Sequence, residues 1–378
     1  MILLTKNTKA LLISVGLLNF ISQANSLELA NTTYSKTLLS IGAGQAAMTF
    51  CDFDADGNQD ILIANYSDNN MVVLRGDGKG KVSELRRISV GENPTGIATA
   101  DINGDGKVDV AIANHETSYV TLLFGDGDGN FQKLSGSQFE LDISPHPHEV
   151  KLVDLDGDNK TDLIVDSRDD DGVRFYKGAD NGGFVLPGKV VQSGGDPYRG
   201  FAIGDINNDG SPDLVTPNLT NVGVLLNTGN TALQFSLSKI AHSDSPFTVE
   251  LADLNGDNNR DLIVASNNRL VAIYPGNGKG DFDTRNKIEI GLNIGAKQIA
   301  IGDINGDGIQ DAILTNWAGE LIAIMGSTSK IETILFHHPK ISNPWGVLLA
   351  DMNGDGHDDF IVADGRSNSA ILYLSAIN

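Results

Sequence analysis

Cysteine occurs once in 378 residues, at Cys51, so no internal disulfide can form, and no cysteine follows the N-terminal segment to carry a lipid anchor. Beyond residue 26 there is no apolar run long enough to cross a membrane. Positive charge is scarce: 27 Lys and Arg face 49 Asp and Glu, for a net charge of −22, which excludes non-specific binding to nucleic acid or to an anionic membrane surface. The one apolar run that does occur, from Ala10 to Ile21, follows Lys6 and Lys9 and ends in small residues suited to cleavage after Ala24 or Ser26. This pattern reads as a signal peptide over residues 1–26, leaving a single domain over 27–378 that is secreted, periplasmic or on the cell surface.

What is abundant is one acidic nonapeptide. DFDADGNQD, DINGDGKVD, DLDGDNKTD, DINNDGSPD, DLNGDNNRD, DINGDGIQD and DMNGDGHDD begin at intervals of 49, 53, 51, 48, 50 and 48 residues, a period that belongs to arrays, solenoids and propellers. The first position is Asp52, Asp101, Asp154, Asp205, Asp253, Asp303 and Asp351. The third is Asp54, Asn103, Asp156, Asn207, Asn255, Asn305 and Asn353, and the fifth is Asp56, Asp105, Asp158, Asp209, Asp257, Asp307 and Asp355. The ninth is Asp60, Asp109, Asp162, Asp213, Asp261, Asp311 and Asp359.

Hard oxygen donors at alternating positions of a tight loop are the chemistry of a calcium site, and magnesium, which keeps more of its water, suits such a loop less well. A main-chain carbonyl is expected as a further ligand at the seventh position, which is Asn58, Lys107, Lys160, Ser211, Asn259, Ile309 and His357. An EF-hand would need a bidentate Glu at position 12 leading into a helix. Position 12 here is Ile63, Ile112, Val165, Thr216, Val264, Leu314 and Val362, so the ninth-position Asp must supply the last protein ligand. Asn159 and Asn258 replace Gly at position 6, and Pro212 occupies position 8 of the fourth copy; those three sites are expected to bind more weakly. Up to seven structural calcium ions follow. They would staple an exported chain that has no disulfides, and without them the carboxylates repel at close range.

Between the loops the sequence alternates short apolar segments with turns. In the second copy GIATADI enters the loop, DVAIAN leaves it, YVTLLF returns, and the Gly-rich GDGDGN precedes a fourth segment. That is the content of one four-stranded antiparallel propeller blade. Phosphate-cradling by the Gly-rich turns is excluded, because a cradle needs a following helix. The C-terminal copy has only three such segments, and YSKTLLSI at residues 34–41 lies where a fourth strand belongs. The fold class read from the chain is therefore an all-β seven-bladed β-propeller, closed by the N-terminal strand completing the C-terminal blade.

These residues resemble the FG-GAP or VCBS repeat, the unit of the seven-bladed propeller of integrin alpha subunits and of many bacterial secreted and surface proteins. The resemblance rests on the seven D-x-[DN]-x-D-[GN]-x-x-D loops, each followed by a strand and a Gly-rich turn. It implies a calcium-stabilised propeller used for recognition, and no integrin, since no further domain, transmembrane helix or tail follows. RTX rolls and thrombospondin-type arrays place their loops closer together, and dockerin-like pairs need helices after them.

Strand parity places the acidic loops and Gly-rich turns on one face and puts the blade links and second turns on the other. The second face carries His146, His148, Tyr198, Arg199, Phe247, Lys297, Trp317 and Trp345, read as exposed aromatics and mixed charge. Tyr198, Arg199, Trp317 and Trp345 are the candidate ligand residues, for a protein or a glycan. Trp317 and Trp345 lie on neighbouring blades, where two indoles either anchor a partner or pack the ring. His115, His146 and His148 either converge as a transition-metal site or belong to a Pro-flanked turn. No catalytic pair is identifiable, so the primary reading is a non-catalytic adhesion or recognition module. A polysaccharide lyase or hydrolase is the alternative, favoured by a deep central pocket lined by Tyr198, Arg199, Lys297 and Glu149, and a purely structural surface component is a further one. Asn31, Asn65 and Asn218 begin N-x-Ser/Thr triplets, and Cys51 occupies a small-residue core slot.

Overall fold

Each acidic loop leads into a strand buried along its whole length, such as Asp60–Asn65, Asp109–Asn114, Asp261–Ser266 and Asp359–Asp364. Near-continuous apolar runs like ILIA and LIVA suit strands covered on both faces, which is the position of a blade strand packed between two neighbouring blades. The computed structural model describes residues 26–376 apart from 30–31, 45, 141–145, 168–169, 181, 198, 230–232, 243–244 and 338–340. No helix occurs among the described residues, and so none is long and apolar enough to cross a membrane.

Seven antiparallel sheets make seven blades in a ring. Blade 1 runs Ala46–Cys51, Asp60–Asn65, Asn70–Gly76 and Val82–Ser89 in order, and blades 2 to 6 repeat that up-and-down pairing. Seven apolar clusters fill the seven junctions. Ile97 and Val110 of blade 2 meet Leu62 and Val73 of blade 1, and the last cluster joins Ile361 and Leu372 of blade 7 to Ile61 and Met48 of blade 1. Burying one such side chain is worth about 1.5–3 kcal/mol, so the ring is held by many equivalent junctions rather than by one central core.

Blade 7 closes the circle. Its order is Ser26–Leu29, Thr32–Ser40, Ser369–Ala376, Asp359–Asp364, Pro344–Ala350, with Thr33 to Ser40 registered against Ala376 to Ser369. The expected N-terminal strand is in place, but the blade has five strands and not four, because Ser26–Leu29 adds an outer strand. This strand begins at the last residue of the expected leader. The hydroxyl of Tyr34, fully buried, donates to Ile304 O at 2.7 Å across the junction with blade 6.

Cys51 ends the innermost strand of blade 1 and packs against the junction with blade 2. Burial, and then the carboxylates of Asp60, Asp52 and Asp54, push its thiol up to about 12, disfavouring the thiolate. Asn65 and Asn218 are fully buried, and their side-chain amides donate to Ile41 O and Ser193 O, so neither triplet presents an acceptor in the folded chain. Asn31 lies outside the described residues.

Candidate metal loops and partner face

The seven nonapeptides fold alike. The first-position carboxylate accepts the loop's own main-chain N–H groups: Asp56 N and Gly57 N bond Asp52 at 3.0 and 2.9 Å, and Asp105 N and Gly106 N bond Asp101 at 3.1 and 2.8 Å. The fifth-position carboxylate accepts the seventh-position N–H, as Asn58 N does to Asp56 at 2.8 Å. This winding needs left-handed backbone at both positions 4 and 6. Asn159 and Asn258 adopt it with φ of 64° and 63°, so Asn replaces Gly there without changing the loop.

The ninth-position Asp ties the loop to the blade. One oxygen of Asp60 accepts Phe53 N at 3.1 Å and the other accepts Gly76 N, from the third strand, at 2.8 Å. The same pair of bonds is made by Asp109, Asp162, Asp213, Asp261, Asp311 and Asp359, with the third-strand donor at 2.6–2.9 Å throughout. A Cβ at Gly76 or Gly276 would come within 2.1 or 2.0 Å of a loop carbonyl, which explains the glycine that opens the hairpin turn. Burial, only partly offset by these N–H donors, raises Asp60, Asp162, Asp213, Asp261 and Asp359 to about 6 and Asp311 to about 7, and raises Asp109 in the same direction.

The donor set fits a hard divalent cation. Side-chain donors at positions 1, 3, 5 and 9 are all oxygens, and the carboxylates of Asp52, Asp54 and Asp60 gather within 4.8 Å, as do those of Asp154, Asp156 and Asp162. Asp54 Oδ1 is buried with no hydrogen-bond partner. Each ninth-position oxygen accepts a main-chain hydrogen bond; at Asp261 both oxygens also accept from Asn255 Nδ2, and at Asp359 one also accepts from Ser375 Oγ.

Second turns and blade links meet on the opposite face. Ser67 N bonds Ala43 O, His115 N bonds Asn93 O, Asn267 N bonds Ser245 O, Trp317 N bonds Gly295 O and Gly365 N bonds Asn343 O, one contact repeated around the ring. Four blade links send side chains toward the axis there. Arg199 holds its guanidinium 4.6 Å from the Trp345 ring and 5.3 Å from Phe247, and Lys297 Nζ lies 4.7 Å from Trp317 and 5.2 Å from Trp345. Trp317 and Trp345 meet edge to face at 5.4 Å. Burial lowers the Lys297 ammonium to about 8, and it donates to Asn343 Oδ1 and Pro344 O at 2.6 and 2.9 Å.

Exposure here departs from the sequence reading. Trp317 is 39% exposed, but Trp345, His148, Phe247 and Lys297 are buried at 9, 9, 3 and 3%, because the innermost strands converge and pack these residues against one another. Trp317 and the half-buried Arg199 form the accessible part of the cluster. Tyr198 lies outside the described residues.

Below this cluster a central cavity of about 270 Å³ runs between the innermost strands. Of the three described residues expected to line a central pocket, Arg199, Lys297 and Glu149, only Glu149 borders it, joined by Lys151, Thr248, Glu250 and Gln298. Lys151 Nζ is 3.5 Å from Glu149. Burial and then Glu149 raise Glu250, against the opposing pull of Lys151, to about 7.

A seven-bladed ring with one acidic nonapeptide per blade defines a repeat propeller by its architecture. The FG-GAP-like repeat profile matches residues 52–112, 101–165, 154–216 and 253–314, more than half of the chain, and the chain belongs to that family. No curated protein sequence matches it. Among solved structures it is similar to BBS1N in complex with ARL6DN (TM-score 0.62, 13% identity, 93% of this chain and 97% of that one). It is also similar to an Agrocybe aegerita lectin that recognises non-reducing terminal N-acetylglucosamine (TM-score 0.55, 18% identity, 77% and 80%).

Counting from the acidic loops would have sharpened the reading of the partner face. Six residues before each first Asp stand Ala46, Thr95, His148, Arg199, Phe247, Lys297 and Trp345. Six after each ninth-position Asp stand Tyr66, His115, Arg168, Leu219, Asn267, Trp317 and Gly365. Repeat symmetry turns these two columns into two rings, and the cation–aromatic cluster is drawn from both. Glu250 and Lys151 carry no such signal, since their raised proton affinities arise only when the strands bring them together.

Proposed function

We propose that this chain is an exported, calcium-stabilised propeller that recognises a protein or glycan partner through the face opposite its acidic loops. The observation that carries the reading is the Arg199–Trp345–Lys297–Trp317 cluster. Aromatic rings fixed by cations and edge contacts, with one indole open to solvent, suit a sugar face or a partner side chain, and Trp and Arg dominate binding energy at protein interfaces. The partners named for the similar folds, ARL6DN and a terminal N-acetylglucosamine, are of these two classes. Seven oxygen cages on the other face would hold the blades and leave this one free. The leader-like residues 1–26 support export.

The test is a glycan and protein array probed in calcium and in chelator, followed by Trp317→Ala and Arg199→Ala on the best ligand. Loss of at least about tenfold in affinity, roughly 1.4 kcal/mol, is expected for each. A ligand that binds both variants as well as the parent would move the site elsewhere.

The polysaccharide-active alternative draws on Glu250, a carboxyl near neutrality in a polar cavity beside Lys151. Release of reducing ends or unsaturated sugars from uronate-rich polymers, abolished in Glu250→Gln, would favour it over binding alone.

A further inference from the structure

His115, His146 and His148 come together on the partner face, at the junction of blades 2 and 3 and away from the acidic loops. The imidazole centroids of His115 and His146, and of His115 and His148, are each 4.9 Å apart. Two imidazoles bound to one tetrahedral zinc ion, with Zn–N near 2.0–2.1 Å, have their centroids about 5 Å apart. Donor atoms of His115, His146 and Glu116 lie within 4.8 Å of one another.

Local geometry holds these side chains in place. His146 Nδ1 is buried with no hydrogen-bond partner, an orphaned acceptor or donor of the kind that a bound ion would satisfy. The His146 backbone has φ of 74°, in the left-handed region, although it precedes Pro147, a context that disfavours helical backbone. Its N–H donates to Thr117 O at 3.3 Å, pinning the blade link to the second turn that carries His115. Strained backbone of this sort persists where the surroundings over-determine it, often at binding sites. Glu116 Oε1 lies 2.9 Å from His115 Nδ1, and Asp166, which accepts the N–H groups of His148 and Glu149, lies 4.0 Å from His148 Nδ1. These two carboxylates offset Arg199, the cation that faces the cluster.

We propose that His115, His146 and Glu116 form a binding site for a first-row divalent transition ion of the zinc type, with His148 packed beside it. Imidazole nitrogen with one carboxylate is a donor set for zinc, in contrast to the all-oxygen loops of the other face. An ion here would place a Lewis-acidic position within the partner face, next to Tyr66, whose ring is 6.3 Å from His115.

The experiment uses untagged full-length protein in a large excess of calcium, so that the acidic loops are not available to the probe. Zinc sulfate is titrated by calorimetry and cobalt(II) by visible absorption. One equivalent bound is expected, with the intense bands of four- or five-coordinate cobalt, and affinity reduced at least about 100-fold in His115→Ala and in His146→Gly. Glycine suits the left-handed backbone at 146, so lost binding there cannot be assigned to misfolding, and an unchanged melting midpoint of that variant in calcium without zinc is the check. No stoichiometric binding at micromolar zinc, or binding that survives both substitutions, overturns the site. The outcome is independent of whether the acidic loops bind calcium, because the variants and the parent are compared in the same buffer.

Discussion

Arg75 Nη2 lies 2.7 Å from Asp54 Oδ2, and Lys177 makes the same ion pair with Asp156 two blades away. Asp54 and Asp156 are the two third-position residues that are Asp; the other five are Asn. Arg75 and Lys177 stand immediately before the third-strand residue that donates to the ninth-position Asp, and the equivalent residues elsewhere are Phe124, Leu226, Pro275, Met325 and Leu374. A fourth carboxylate thus comes with its own tethered cation, and the side chains at positions 1, 3, 5 and 9, taken with that cation, carry the same net charge in all seven loops. Arg75→Gln and Lys177→Gln should each lower the melting midpoint in chelator by an amount corresponding to roughly 0.5–1 kcal/mol, since the pairs are partly exposed. Calcium affinity at the altered loop should rise about three- to tenfold as the competing cation is removed. Asn103→Asp, which adds a carboxylate with no cation beside it, should also weaken the chelated protein. Identical melts and calcium isotherms in all three variants would refute the compensation.

Removal of calcium is the broader test of the loops. Excess chelator should lower the midpoint by more than about 10 °C, since the seven proposed sites would each be linked to folding, and calcium should restore it at concentrations where magnesium does not. Differential scanning calorimetry decides this, and an unmoved midpoint would count against metal at any of the loops.

Tyr34 ties the closing strand to blade 6. Its hydroxyl bonds Ile304 O, and its ring meets Phe360 edge to face at 5.2 Å. Tyr34→Phe should cost about 1 kcal/mol and Tyr34→Ala about 3 kcal/mol or more in urea unfolding. Deleting residues 26–40 should leave the edge of Ser369–Ala376 unpaired and produce dimers or aggregates by light scattering; a monodisperse, equally stable product would show that the strand is dispensable.

Glu250 sets a pH dependence. Its folded value of about 7 lies above the usual carboxyl range, so ionisation costs stability beginning above pH 4.5, with the full cost present above pH 7. Glu250→Gln removes that cost. Relative to the parent it should be neutral near pH 4.5 and more stable by about 2 kcal/mol at pH 8, as read from denaturant midpoints at the two values. A stability difference that does not change with pH would show that the carboxyl titrates normally.

Much of this architecture was legible because the repeat states it seven times. Period, loop chemistry and strand runs combine to one answer, and even the closing strand could be placed by counting segments at the two ends. The fifth strand, Ser26–Leu29, was not visible, since SLEL is too short to stand out from the residues that precede it. Exposure on the partner face was misread for Trp345, His148, Phe247 and Lys297, because residue type alone suggests a surface and cannot register the crowding of seven innermost strands about one axis.

The chain by itself determined the number of blades, the position of every acidic loop and the face on which each turn lies, because these depend on spacing and on the period-two alternation of strands. Only the tertiary structure decided which side chains meet: Arg199 over Trp345, His115 beside His146, Arg75 on Asp54. Those contacts link residues separated by tens to more than a hundred positions, and their distances are set by how the twisted blades pack around the axis, a property that no local stretch of sequence encodes.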